Sequence, residues 1–551
     1  MARPLSPAIL LCLTAVSPLC CSAESARLAE AGVTEGAPMP TVGATRATAV
    51  LAPPPPREPV SAPPAPLAPA LVVAEPASAQ LVEAPTEPAA PPASQTDGAA
   101  DLAPAEATAD LAVEAAATSE PVLVAVEREV QVYAEPSFAA RRLGYLRSGA
   151  RVPRSLEAVP HAACEGGFFK IAPEGYVCAG VAARLEDTAV SELSRVRPDR
   201  LAPLPYLYAK AESALTPLYT KLPDAREQRL TEPEWDLARR REARRFASFP
   251  SSSVPLLLAE GGQAPSAYTR AHDPHAVALG RALPNSSFAL VSIYEHGARR
   301  FALTSDLLLL PLDRLQPVVA SDFHGIGVEA HGLPVAFAMR RGAALYSGDP
   351  AAGLRVARRL GYREALPLSG RSSKLGGTSY VETRDGHWVR DEQLVREDGF
   401  SRLPGWAKGK RTWIHVSISK QTLVAYEGER AVYVTLVSTG ADGVGPPETT
   451  RSTVRGQFVV HTKHVSARMS SDEAGDEYDL REVPYVQYFH EGYALHAAYW
   501  HDGFGTPRSH GCINLSPRDA RWLFHWTEPA VPQLWHGAYS LLNGTLIHVT
   551  E

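Results

Sequence analysis

Apolar and polar residues alternate at a period of two through much of the last third of the chain. The runs Trp413-Ile414-His415-Val416-Ser417-Ile418 and Gln421-Thr422-Leu423-Val424-Ala425-Tyr426 are followed by a turn, Glu427-Gly428-Glu429-Arg430, and a third run, Ala431 to Val437. Alternating runs about a short Gly-containing turn predict a β-hairpin. Gln457 to Thr462 predicts another strand. Shorter runs fill 122–187, at Val130 to Tyr133, Leu143 to Leu146, Gly166 to Ile171 and Gly175 to Cys178, bounded by turn residues. Pro217 to Pro223 echoes Val132 to Pro136, and Ala344 to Pro350 does so again, continuing to a closing Arg384 to Arg390. Residues 188–400 therefore read as further small β modules with helical linkers, Glu234 to Ala247 being one such helix. A single irregular domain is the alternative. The expected fold class is mainly β and multidomain.

Composition changes the picture before residue 122. From 24 to 121 the chain is rich in proline and alanine, and no aromatic residue occurs between Glu24 and Glu120. Such a segment has no material for a core and is expected to be a disordered linker. Residues 1–23 read as a signal peptide: Arg3, a short apolar run from Ala8 to Val16, then Cys21-Ser22-Ala23 as a cleavage region. Lipidation at Cys20 or Cys21 is a minority alternative. No other stretch is long and apolar enough for a transmembrane helix. The chain is then exported, to the periplasm or cell envelope. Net charge is −6 over 551 residues, too weak an imbalance to mark a nucleic-acid binder.

Of six cysteines, Cys12, Cys20 and Cys21 lie in the signal region, leaving Cys164, Cys178 and Cys512. Three in an exported chain suggest one disulfide and one free thiol. Cys164 and Cys178 flank a strand, a turn at Pro173-Glu174-Gly175 and a returning strand, which would bring them together. Two buried free thiols, or a pairing with Cys512, are the alternatives.

The candidate chemistry lies in Leu495-His496-Ala497-Ala498-Tyr499-Trp500 and Ser509-His510-Gly511-Cys512-Ile513-Asn514. Acyl transfer by cysteine needs a thiolate, a base and donors for an oxyanion. Cys512 supplies the first, and His496 and His510 are candidate bases. Gly511 lets the backbone turn and present amides. Ser516-Pro517-Arg518-Asp519 predicts a helix start with serine as N-cap, proline at N1 and a capping-box acid. A helix just past the cysteine would favour the thiolate.

The Ser-His-Gly-Cys-Ile-Asn run at 509–514, with a histidine sixteen residues before the cysteine, resembles the L,D-transpeptidase (YkuD-type) signature. The stretches Trp413 to Tyr426, Val437-Ser438-Thr439-Gly440 and Gly456-Gln457-Phe458 resemble that family too. The resemblance covers 411–551 and implies a β-rich catalytic domain whose nucleophile is Cys512 and whose base is His496. It implies that His496 is oriented through the carbonyl of Ala497, where the family commonly has glycine. It also implies an oxyanion hole from backbone amides at His510, Gly511 and Cys512. Ser509 would support the loop, and Asn514 and Trp500 would meet substrate. The implied activity is peptidoglycan cross-linking on stem peptides, without cofactor. L,D-carboxypeptidase activity, or anchoring of an outer-membrane protein acceptor, is the alternative. Residues 122–187, in strand order and in their closing Gly175-Tyr176-Val177, resemble a bacterial SH3-like domain.

Two other classes compete. His496, His501, His510 and Cys512 could be zinc ligands, although their spacing is no standard zinc pattern. A wall-binding scaffold with a dead catalytic domain is the other. The acidic run Asp472 to Asp479 reads as a solvated loop, with a lid that attracts the stem-peptide amine as the alternative.

Overall fold

The computed structural model describes residues 121–213, 215–232, 245–265, 276–471 and 477–551. The expected signal peptide, nearly all of the linker, most of the Glu234 to Ala247 helix and residues 472–476 of the acidic run lie outside the described residues. What is described is β-rich.

The first module, 121–187, is a set of short strands. Val122–Ala125 pairs antiparallel with Arg151–Pro153 and with Ala183–Arg184. Val130–Tyr133 pairs with Arg142–Leu146, and its alternation buries Val130 and Val132. Cys164 and Cys178 form a disulfide across the pairing of Cys164–Lys170 with Tyr176–Cys178, with Cα atoms 5.9 Å apart. This module joins the C-terminal domain edge to edge: Gly144 pairs with Ala538 and Tyr145 with Gly537. The seam requires two glycines. A Cβ on Gly144 would stand 2.2 Å from Gly537 O, and one on Gly537 would stand 2.2 Å from Tyr145 Cε1.

A second set of strands runs from Leu207–Ala211 to Leu315–Pro317 around Phe288, Leu290, Ile293, Ala302, Leu310 and Leu312. Its contacts with the C-terminal domain include a parallel bridge, Ser287 to Leu480, Ser287 Oγ and Tyr499 OH, 2.6 Å apart, Tyr208 OH donating to Glu482 O at 2.5 Å, and Arg481 paired with Asp306 at 2.8 Å. A third set, Val335–Ala338 to Leu394–Glu397, buries Ala336, Leu345, Leu368, Val381 and Val389. The connection between these two sets, residues 318–325, crosses the face of the C-terminal domain. It ends in Ile326–Gly327, which pairs with Val434 and Tyr433 as an added edge strand.

The C-terminal domain contains two sheets. One has the order Ile326–Gly327, Arg430–Leu436, Thr422–Glu427, Thr412–Ser417, Leu546–Thr550, Gly456–Val459. The hairpin predicted from 413–437 is its centre. Thr412–Ser417 is buried on both faces, and its period-two alternation explains how. Ile414 and Val416 point into the core shared with Leu495, Ile513 and Leu523. Trp413 points the other way, stacked 4.0 Å from Tyr426 and packed with Val335 and Phe337 of the third set. The second sheet centres on the long hairpin of Thr462–Ser471 with Tyr478–His490.

Ser516 caps the helix Pro517–Trp526 by accepting from Asp519 N at 3.1 Å, with proline at N1. The capping box expected from Asp519 is not made. Its carboxylate instead accepts from Gly325 N (2.9 Å), Tyr433 OH (2.7 Å) and Thr435 Oγ1 (2.6 Å), fastening the 318–325 connection to the domain. Three partners from other elements outbid one local amide.

Candidate active site

Tyr493–Ala497 and Ile513–Leu515 lie side by side and parallel, with His496 opposite Asn514. Leu495, Ala497, Ile513 and Leu515 face the core. The alternating residues His496, Cys512 and Asn514 therefore project to the other face, where they line a cleft of about 1090 Å³.

His496 is buried, and its Nδ1 lies 3.1 Å from Ala497 O. That carbonyl can only accept, so Nδ1 carries the proton and Nε2 has the free lone pair. Burial lowers the imidazole pKa to about 4, and the Ala497 bond offsets this only partly. Cys512 is half-buried, with Sγ 3.7 Å from Gly492 O. Burial pushes its thiol up to about 11 against a smaller lowering by the Ala494 amide. Ile513–Leu515 intervenes before the helix, and desolvation dominates. Both shifts favour the neutral thiol and the neutral imidazole.

The loop before Cys512 is held by its own side chains. Ser509 Oγ donates to Cys512 O and accepts from Gly511 N at 3.1 Å. Gly511 O accepts from Thr453 Oγ1 at 2.7 Å. Gly511 has φ +121°, and a Cβ there would stand 2.7 Å from the Tyr493 ring, so only glycine fits. Of the three amides expected to form an oxyanion hole, that of Gly511 is thus engaged by Ser509 in this state.

Trp500 is 41% exposed on the cleft, its ring 5.7 Å from that of His496. Asn514 is buried, and its amide lies 3.0 Å from His501 Nε2. His510 is exposed, its ring tilted against that of Tyr478 with centroids 5.4 Å apart. His496, His501, His510 and Cys512 are not gathered as ligands: among the described residues no group of three or more His, Cys, Asp or Glu is placed to hold a metal.

Much of the cleft wall comes from outside the C-terminal domain. Lys210, Ser287, residues 316–323 and Arg363 all line it. Arg363 reaches Asp502 Oδ2 at 2.7 Å and Asp502 O at 3.1 Å, and lies over the Phe323 ring at 4.7 Å. Ser321 Oγ bonds the same carboxylate. Sequence reading missed these residues, because no local pattern joins positions so far apart in the chain.

A β domain with a buried histidine on one strand and a half-buried cysteine just before the parallel neighbour has the parts that cysteine-dependent acyl transfer needs. Residues 411–549 match the L,D-transpeptidase catalytic domain, and this part of the chain is such a domain. That match supports a transpeptidase-type activity for residues 411–549. The chain is similar to solved L,D-transpeptidases. It is 23% identical to one from Xylanimonas cellulosilytica, over 27% of this chain and 65% of that one, with TM-score 0.20. It is 23% identical to the catalytic domain from E. faecium, over 26% and 98%, with TM-score 0.20. It is 21% identical to L,D-transpeptidase 3 from Mycobacterium tuberculosis, over 33% and 79%, with TM-score 0.21. The chain thus covers less than two thirds of the first of these. A comparison with curated proteins gives no match.

Proposed function

We propose that this chain is a peptidoglycan L,D-transpeptidase that forms cross-links through a Cys512 thioester. The observation that carries the reading is the placement of His496 on one strand and of Cys512 immediately before its parallel neighbour Ile513–Leu515, both lining one cleft. His496 Nε2 takes the thiol proton as Sγ attacks the carbonyl after the L-centre of meso-diaminopimelate in a donor tetrapeptide stem. The S–C bond forms, the C–N bond to D-alanine breaks, and the imidazolium returns its proton to the departing amine. An acceptor amine then attacks the thioester, loses its proton to His496, and the thiol re-forms. Because both groups start neutral, proton transfer accompanies the attack rather than preceding it.

The acceptor is a stem-peptide amine in this reading. Water would make the enzyme a carboxypeptidase, and a protein amine would make it an anchoring enzyme. The protein works in the cell envelope. The SH3-like first module and the two sets that follow it hold or orient peptidoglycan, a role supported for the two sets by the cleft wall they supply. Incubating the purified chain with defined tetrapeptide muropeptides tests this. Cross-linked dimer, released D-alanine and a mass adduct on Cys512 are expected, with no product from Cys512→Ala and only traces from His496→Ala. Cross-links made by Cys512→Ala would overturn the assignment, and an unmodified Cys512 in wild-type protein would favour a scaffold.

A further inference from the structure

A second cavity, of about 140 Å³, lies where the first module, the segment after the helix Ala189–Leu193, the second set and the C-terminal domain meet. It is roughly ten times the ~10–15 Å³ that one water requires. Arg147, Ser194, Arg197, Arg200, Trp535 and His536 are among its lining, and no carboxylate lines it.

Three of its polar groups have no partner. Ser194 Oγ, Arg200 Nε and Trp535 Nε1 are buried and have no hydrogen-bond partner. Arginine and tryptophan can only donate, and a serine hydroxyl can do so, so each lacks an acceptor. Buried polar groups are nearly always paired, and three orphans on one cavity point to a missing acceptor. The charge is unbalanced as well. Arg147 is neutralised by an ion pair with Glu482. Arg200, nine-tenths buried, bonds only the carbonyls of Pro532 (2.8 Å) and Val531 (2.7 Å). Arg197 reaches only Leu534 O, at 3.3 Å. A buried guanidinium without a counter-charge is costly. His536 adds no further positive charge: burial lowers its pKa to about 3, and its Nε2 lies 3.0 Å from Ser466 O.

We propose that this cavity binds a phosphate-class tetrahedral oxyanion, held by Arg200 and Arg197 with Ser194 and Trp535 completing its shell. A carboxylate offers two oxygens, whereas the donors here suit four. An anion bound at this junction ties the modules to the catalytic domain, because its ligands come from both sides. By mass action it stabilises the folded chain.

The test is a thermal melt and a calorimetric titration of the full chain with inorganic phosphate, glycerol phosphate, acetate, and sodium chloride at matched ionic strength. Phosphate should raise Tm, with acetate and chloride well behind. A stronger response to glycerol phosphate would still support phosphate chemistry and identify an ester as the source. Arg197→Gln and Ser194→Ala should each weaken phosphate binding, the former by about tenfold, the loss of one charged contact. Arg195→Gln, outside the cavity, should not. Arg200→Gln also removes the bonds to Val531 and Pro532 and could misfold, so exposed Arg197 is the deciding variant. A phosphate response no larger than that of chloride, a larger one to acetate, or one indifferent to Arg197→Gln would overturn the proposal.

Discussion

His496 and Asn514 stand opposite each other across a parallel strand pair, and Asn514 is two residues beyond Cys512. Backbone bonds Ser438 N to Asn514 O and Asn514 N to Ser438 O, both 2.9 Å, tie the same residue to the other sheet. His496 and the loop that bears Cys512 are therefore registered by main-chain geometry, which a side-chain mutation in the cleft leaves in place.

The neutral resting pair gives a distinctive pH profile. With the thiol raised to about 11, alkylation of Cys512 by iodoacetamide should quicken about tenfold per pH unit from 7 to 10. A plateau above pH 7 would instead signal a preformed thiolate–imidazolium pair and would contradict the burial argument.

Glu482 joins three parts of the chain. It is fully buried, pairs with Arg147 and Arg128 of the first module, and accepts from Ser305 of the second set and Ser466 of its own domain. Burial alone would raise its pKa, but the two guanidiniums outweigh this and hold it below the usual carboxylate value. Its contribution to stability is thus present above the ordinary glutamate range and is lost as pH falls through that range toward the depressed folded value. Glu482→Gln should cost about 3–5 kcal/mol in denaturant unfolding at pH 7. The loss should shrink at pH 3; an equal loss at both pH values would exclude the charge as its source.

Asp502 holds the wall contributed from outside the catalytic domain, through Arg363 and Ser321. Its side chain is more than half exposed, so Asp502→Ala should change unfolding free energy by less than about 1 kcal/mol. Substrate positioning should suffer instead, with kcat/KM for tetrapeptide donors falling about tenfold. Steady-state kinetics on the variant would reveal it, and unchanged kinetics would remove the wall from substrate binding.

The disulfide closes a short loop, Cys164 and Cys178 being 14 residues apart. Replacing both cysteines by serine should destabilise the first module by about 3 kcal/mol in the chain-entropy picture. Thiol counting on exported protein freed of residues 1–23 should find one reactive group, at Cys512; three would show the bridge absent in solution.

Local patterns in the sequence made some of this legible. Period-two alternation located the 413–437 hairpin, and Ser516-Pro517 located the helix after the nucleophile. The run 509–514 pointed to Cys512 because a glycine, a serine and a cysteine must adjoin to make that turn. What stayed hidden depends on distant pairings. Asp519 has the form of a capping acid, yet it serves residues 325, 433 and 435. The raised Cys512 pKa follows from how deeply the folded chain packs around it, which no motif encodes. Arg363 and residues 316–323 carry no family signature, and only the crossing of the connection over the domain brings them to the cleft.

That crossing separates the unit that sequence comparison recognises from the unit that can stand alone in water. A fragment cut at 411 would lose Ile326–Gly327 and leave Arg430–Leu436 as an open edge, with its backbone groups ready to pair with another chain. It would also strip Phe337, Val335 and Val328 from the face bearing Trp413, Val424 and Tyr426, exposing a wide apolar patch. Such a fragment is expected to aggregate, whereas one beginning before residue 318 carries its own cover.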